Sequence, residues 1–268
     1  MRQISAAGAT FNIIDRGAGP AVLLVHGFPL DHTMWHAQLD ALSVNNRLIV
    51  PDLRGFGRST VTDGTVTMEQ FADDLVALLD ALGIQQPVCV CGLSMGGYIA
   101  LAFWRKYRDR VRSLILCDTR SAADTPEAAA ARHTLADKAT AEGMEKVAEA
   151  MLPKLIHPET PKVRPQVAAA VKQMILGTNP RGAAAALRGM ASRPDCADLL
   201  PTINVRTLVF AGEKDAISSP DEMRKIAAAI PGATFVEIPE AGHMSPMENP
   251  QRVNAELQKF LADELLMR

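Results

Sequence analysis

The chain has 268 residues, 48% of them hydrophobic and 22% charged, with a formal net charge of −2. That is ample for a sizeable core, and the near-balanced charge argues against nucleic acid or an anionic membrane as a partner. Apolar runs such as Ala21–Val25 are far too short to span a bilayer, and Met1–Ser5 has no secretory apolar core, so a cytoplasmic location is expected.

In chain order, Gln3–Ile14 predicts an antiparallel pair at one sheet edge. Ala21–His26, Arg47–Pro51, Pro87–Cys91, Arg112–Cys117, Val205–Ala211 and Thr234–Ile238 are short, β-branched and bounded by Gly, Pro or charge, as buried strands are. After the second of these, Phe71, Leu75, Leu78, Leu79 and Leu82 line one helical face, opened by a capping box of Thr67 and Gln70 and stopped at Gly83. Tyr98–Trp104 begins a buried helix. From Ser121 to Leu200 no strand is legible; helices are predicted over Pro126–Ala139, Glu142–Leu152, Pro161–Leu176 and Arg181–Met190. Ser219 and Glu222 form a second capping box, with Pro220 at the first helical position. Asn249–Pro250 starts the last helix, whose apolar face is Val253, Leu257, Phe260 and Leu261.

Strands alternating with helices imply parallel pairing through right-handed crossovers. The expected class is α/β, a mostly parallel eight-stranded sheet flanked by helices. Residues 1–120 and 201–268 would form the core, and residues 121–200 a helical cap inserted in the same domain. Of the four cysteines, Cys89, Cys91 and Cys117 lie on strands and read as small buried thiols, with Cys196 remaining. No C-x-x-C pair and no H-E-x-x-H exists, so neither a metal nor another cofactor is expected.

The run Gly92-Leu93-Ser94-Met95-Gly96 is a G-x-S-x-G signature. A chain of this length shows that pattern by chance about one time in ten, so its flanks carry the weight. Strand before and helix after put Ser94 on a sharp turn that lifts its hydroxyl above the sheet edge. A serine hydroxyl needs a base within reach. Of the six histidines, His243 follows the last strand, where this architecture gathers its reacting groups, whereas His26 precedes Ser94 in the chain. The base needs an acid to fix its tautomer. Asp215 follows the strand at Leu208–Phe210 and is favoured over Asp118, which also ends a strand, and over Glu213. An oxyanion needs two N–H donors, for which the Met95 amide and the Phe28 amide, in the turn after His26, are the natural pair.

The ordered set His26-Gly27-Phe28-Pro29, Asp52–Ser59, Gly92–Gly96, Gly212–Asp215 and Gly242-His243 resembles the α/β-hydrolase superfamily. The resemblance is strongest to the branch of small carboxylesterases, 3-oxoadipate enol-lactonases and serine haloperoxidase-like enzymes. It implies Ser94 as nucleophile, His243 as base, Asp215 as acid, and Phe28 and Met95 as oxyanion donors, with Asp52–Ser59 a structural loop. Related epoxide hydrolases and haloalkane dehalogenases use an aspartate at the elbow, and Ser94 argues against both. The expected activity is hydrolysis of small-molecule carboxylic esters. Lactone hydrolysis is the first alternative and C–C hydrolysis the second, and a small-molecule receptor that retains the triad is the non-enzymatic alternative. An anionic substrate would want a fixed cation, for which the 121–200 segment offers Arg132, Arg164, Arg181, Arg188 and Arg193.

Overall fold

The computed structural model describes residues 1–266. Eight strands form one sheet: β1 (Arg2–Ala6), β2 (Ala9–Arg16), β3 (Ala21–Val25), β4 (Arg47–Pro51), β5 (Val88–Leu93), β6 (Val111–Cys117), β7 (Arg206–Gly212) and β8 (Thr234–Ile238). Their order is β1-β2-β4-β3-β5-β6-β7-β8. β1, β2 and β4 pair antiparallel, and every other pair is parallel. The N-terminal hairpin turns on Ala7 and Gly8, at φ 47° and 69°, the two positive angles a type I′ turn requires. Central β5 is buried at every residue, because helices cover both faces of a parallel sheet.

Eleven helices are described: α1 (His36–Leu42), α2 (Met68–Ala81), α3 (Met95–Tyr107), α4 (Pro126–Glu142), α5 (Met144–Leu155), α6 (Thr160–Val163), α7 (Pro165–Gly177), α8 (Pro180–Ala191), α9 (Pro220–Ala229), α10 (Ser245–Glu248) and α11 (Pro250–Leu266). α2 packs on α3, and α1 on α11. In α2, Phe71, Leu75, Leu78 and Leu79 are buried, each contributing on the order of 1.5–3 kcal/mol. The end of α2 is a Schellman motif: Gly83 sits at φ 70°, Gly83 N–H donates to Asp80 O, and Ile84 N–H donates to Leu79 O. Only half of the predicted box at its start forms. Thr67 Oγ1 accepts from Gln70 N–H, while the Gln70 amide turns to Asp74 instead of back to the cap.

Between β6 and β7 lie α4 to α8, with boundaries that differ from the sequence reading for local reasons. Gly143, at φ 88°, separates α4 from α5. α5 runs through Pro153, in its last turn, to Leu155. The helix predicted over Pro161–Leu176 is broken at Arg164 (φ −140°, ψ 57°), because a residue preceding proline avoids the helical region. α8 reaches the core through glycines. A Cβ on Gly182 would meet Gly55 O at 2.0 Å, and one on Gly189 would meet Val66 O at 1.8 Å.

Candidate active site

The carboxyl ends of the parallel strands deliver the residues that sequence reasoning singled out. β5 runs directly into Ser94, which caps α3 at φ 56° and ψ −113°. For a non-glycine residue this conformation costs on the order of 1–3 kcal/mol and persists only where its surroundings fix it. Here the Ser94 N–H donates to Cys117 O at 2.9 Å, and Ser94 O accepts from Thr119 Oγ1 at 2.7 Å. Both anchors sit at the end of β6. The flanking glycines are required by contact: a Cβ on Gly92 would meet Gly96 O at 2.1 Å, and one on Gly96 would meet Val25 O at 2.4 Å. The turn is therefore pressed against β3. Ser94 is half-buried, while its neighbours from Cys91 to Ala100 are buried.

β7 leads to Asp215 and β8 to His243. His243 Nδ1 lies 2.8 Å from Asp215 Oδ2. Asp215 Oδ1 accepts from the backbone N–H groups of Ile217 and Ser218 at 2.7 and 2.9 Å. Burial would raise the Asp215 pKa, but the His243 charge and hydrogen bond and those two amides outweigh it and hold the carboxyl below its ordinary value. In the neutral imidazole, a proton on Nδ1 facing the ionised carboxylate leaves the lone pair on Nε2. Nε2 is buried and has no hydrogen-bond partner among the described residues. A basic nitrogen held in that state is equipped to take a proton from a hydroxyl.

Asp118 does not share this role geometrically. Its Oδ1 accepts from Gly212 N–H at 2.7 Å and its Oδ2 from the Ser245 hydroxyl. Complete burial, and then the neighbouring Asp215 charge, push its pKa well above the usual carboxylate range. Glu213 is paired with Lys214 on the surface. The amides of Phe28 and Met95 donate no hydrogen bond among the described residues. That of Met95 is at the first helical position, where no intrahelical acceptor exists. The Phe28–Pro29 peptide is cis.

His26 is fully occupied by structure. Its Nδ1 lies 2.8 Å from Gly27 O, and its Nε2 accepts from Leu53 N–H at 3.0 Å, so it ties the β3 turn to the loop after β4. That loop is organised by Asp52. Its Oδ1 binds His32 through both the backbone N–H and Nδ1, and its Oδ2 accepts from the Asn12 amide and Arg58 N–H. Asp31, His32 and Asp52 bring ligand-type atoms within 4.8 Å of one another, the one such group among the described residues. The four bonds accepted by Asp52 give its carboxylate a structural use.

The arginines proposed from sequence as anion partners are all engaged elsewhere. Arg132 and Arg193 bind Asp124, Arg181 binds Asp63, and Arg188 binds Asp137. Arg164 donates to the backbone carbonyls of Glu248 and Glu240. A cavity of about 520 Å³ opens between α4, α5 and α8, with Leu135, Met151, Leu187 and Ile217 in its wall. Lys138 and Lys154 also line it, and neither has an ion-pair partner among the described residues. Sequence reading passed over both lysines, since an exposed lysine on a helix carries no local signal.

The model of the alpha/beta hydrolase fold family matches residues 20–250. A 3-oxoadipate enol-lactonase of Acinetobacter baylyi is 28% identical over 87% of this chain and 85% of its own. Among solved structures, a thermophilic esterase from Thermogutta terrifontis is 48% identical, with a TM-score of 0.96 over 98% of each chain. The enol-lactonase of Burkholderia xenovorans is 30% identical, with a TM-score of 0.91 over 97% of this chain and 100% of that one. Eight strands in this order, the strained serine turn and these matches lead to one assignment: the chain belongs to the α/β-hydrolase family.

Proposed function

We propose that the protein hydrolyses carboxylic esters of small molecules through an acyl-enzyme on Ser94. The observation that carries this reading is the pairing of His243 Nδ1 with Asp215, which leaves Nε2 buried and unbonded among the described residues, at the same carboxyl edge of the sheet as the strained Ser94. His243 Nε2 takes the Ser94 proton as Oγ attacks the ester carbonyl. The resulting oxyanion is met by the Met95 and Phe28 amides, each typically worth about 10²–10³ in turnover. His243 then gives the proton to the leaving alkoxide, the alcohol departs, and a water activated by the same nitrogen releases the acid. Asp215 holds the imidazole and stabilises its charged form. Helices α4 to α8 act as a cap in this reading, and their 520 Å³ cavity receives the variable part of the substrate.

Esterase ranks first because the structure 48% identical to this chain is an esterase. Lactone hydrolysis is the second reading, favoured by Lys138 and Lys154 in the cavity wall and by the enol-lactonase relatives. Both use the same catalytic residues. The test is multiple turnover of p-nitrophenyl esters of graded chain length, beside simple lactones and an enol-lactone carrying a carboxylate. Ser94→Ala and His243→Ala should each lower ester turnover by at least about 10³-fold with the fold retained. Full activity in either variant overturns the assignment, and tight binding of an ester without turnover in the wild type points to a receptor.

A further inference from the structure

The residues on either side of His243 are both held by buried hydrogen bonds, and one buried carboxylate organises the arrangement. Glu248, at the end of α10, is 1% exposed. Its Oε2 accepts from Gly242 N–H at 2.7 Å, directly before the histidine. Its Oε1 accepts from His157 N–H at 2.7 Å and from the Thr160 hydroxyl, both in the segment joining α5 to α7. On the other side of the histidine, Met244 N–H donates to Leu155 O at 3.0 Å, at the end of α5. The approach is close enough that a Cβ on Gly242 would lie 2.5 Å from His157 N. Arg164 completes the strap by donating to the carbonyls of Glu248 and Glu240.

A buried carboxylate accepting three hydrogen bonds with no ion-pair partner among the described residues is an expensive way to close a loop. An apolar residue could fill the same space, but it could not hold two N–H groups and a hydroxyl from separate parts of the chain. We propose that Glu248 is a positioning residue that locks the His243 loop to the 155–164 segment, so that the base is set by the helices over the cleft as well as by Asp215. This rests on the reading of Ser94 and His243 as nucleophile and base. Glu248 meets no reacting atom in this scheme. It acts through the Gly242 peptide on the imidazole, and misplacing a catalytic group by about 1 Å can cost as much as 10²-fold.

The test reads the base through the nucleophile, as the rate at which a fluorophosphonate probe labels Ser94, together with kcat and KM for p-nitrophenyl acetate. Glu248→Gln keeps the size but replaces one acceptor oxygen with an NH₂ that faces other donors. It should lower the labelling rate and kcat by roughly 10- to 10²-fold while KM moves less than about twofold. Thr160→Val removes one donor on the helical side alone and should lower both by about threefold. A purely structural role predicts a lower melting temperature with wild-type labelling of the folded fraction, and that result overturns the proposal. Where Glu248→Gln does not fold, Thr160→Val decides alone: slowed labelling supports the lock, and an unchanged rate overturns it. A wild-type protein that neither labels at Ser94 nor turns over ester removes the serine-hydrolase reading and this inference together, whereas a labelled wild type with unaffected folded variants removes only the inference.

Discussion

Two buried acids flank the same histidine loop, and their partners give them opposite electrostatics. Asp215 meets His243 and two amides and stays ionised. Asp118, wholly buried beside that charge, has its pKa pushed well above the usual carboxylate range. A carboxyl that binds its proton more tightly when folded contributes stability that is fully present below the unfolded value and is lost as pH rises through the folded one. Asp118→Asn is neutral at every pH and removes that loss. Its melting temperature relative to wild type should therefore improve as pH rises above the ordinary carboxylate range, and a difference that stays constant with pH would falsify the raised Asp118 pKa. Ester turnover should stay within about tenfold of wild type in this variant, against about 10⁴-fold loss for Asp215→Asn. At this scale the sequence was informative where chemistry is local. Ser94, Asp215 and His243 each follow a strand that its apolar run announces. Glu248 was not legible, because in Met247-Glu248-Asn249-Pro250 it reads as the approach to a helix, while its partner His157 lies 91 positions away.

Helix α2 shows how unequal superficially similar contacts can be. Its Thr67 cap is a neutral hydrogen bond on an exposed turn, and Thr67→Ala should cost only about 1 kcal/mol. Asp74, two turns further on and 1% exposed, takes a bidentate grip from Arg54, whose Nε donates to Asp74 Oδ2 at 2.7 Å. Asp74→Ala strands a buried guanidinium and should cost about 3–5 kcal/mol in urea unfolding. A loss no larger than that of Thr67→Ala would mean that water reaches Arg54 freely. The strands were predictable almost to the residue, since β-branched runs between Gly, Pro and charge have few alternatives. Helices α4 to α8 were less so: their Ala-rich faces look alike, and the breaks at Gly143 and Arg164 depend on single backbone angles. Pro153 misled in the other direction, because a proline in the last turn ends nothing when the chain beyond it is held by Met244.

Across the whole molecule, acid should be the destabilising direction. Asp15, Asp52, Asp124 and Asp215 are all held below their ordinary pKa, Asp52 at about 2, where burial is outweighed by the His32 ring, the His32 amide and the Arg58 amide. Depressed carboxyls contribute stability above the unfolded value of 3.8 and lose it as pH falls through the folded one, so circular dichroism should show unfolding confined to the region below about pH 4. Retained structure at pH 1.5 would contradict this ledger of charges. β6 and β7 lie side by side in the sheet although all of α4 to α8 is threaded between them. Loop-closure cost grows only with the logarithm of length, so the pairing of these two strands is nearly indifferent to what the intervening chain contains. That makes the position a natural point of exchange, where descent could trade one set of helices for another and acquire new substrates around an unchanged reaction. The trade has one condition, since an incoming segment must still offer a carbonyl to Met244 and donors to Glu248. A library of grafted segments should accordingly divide by those few atoms before it divides by pocket shape.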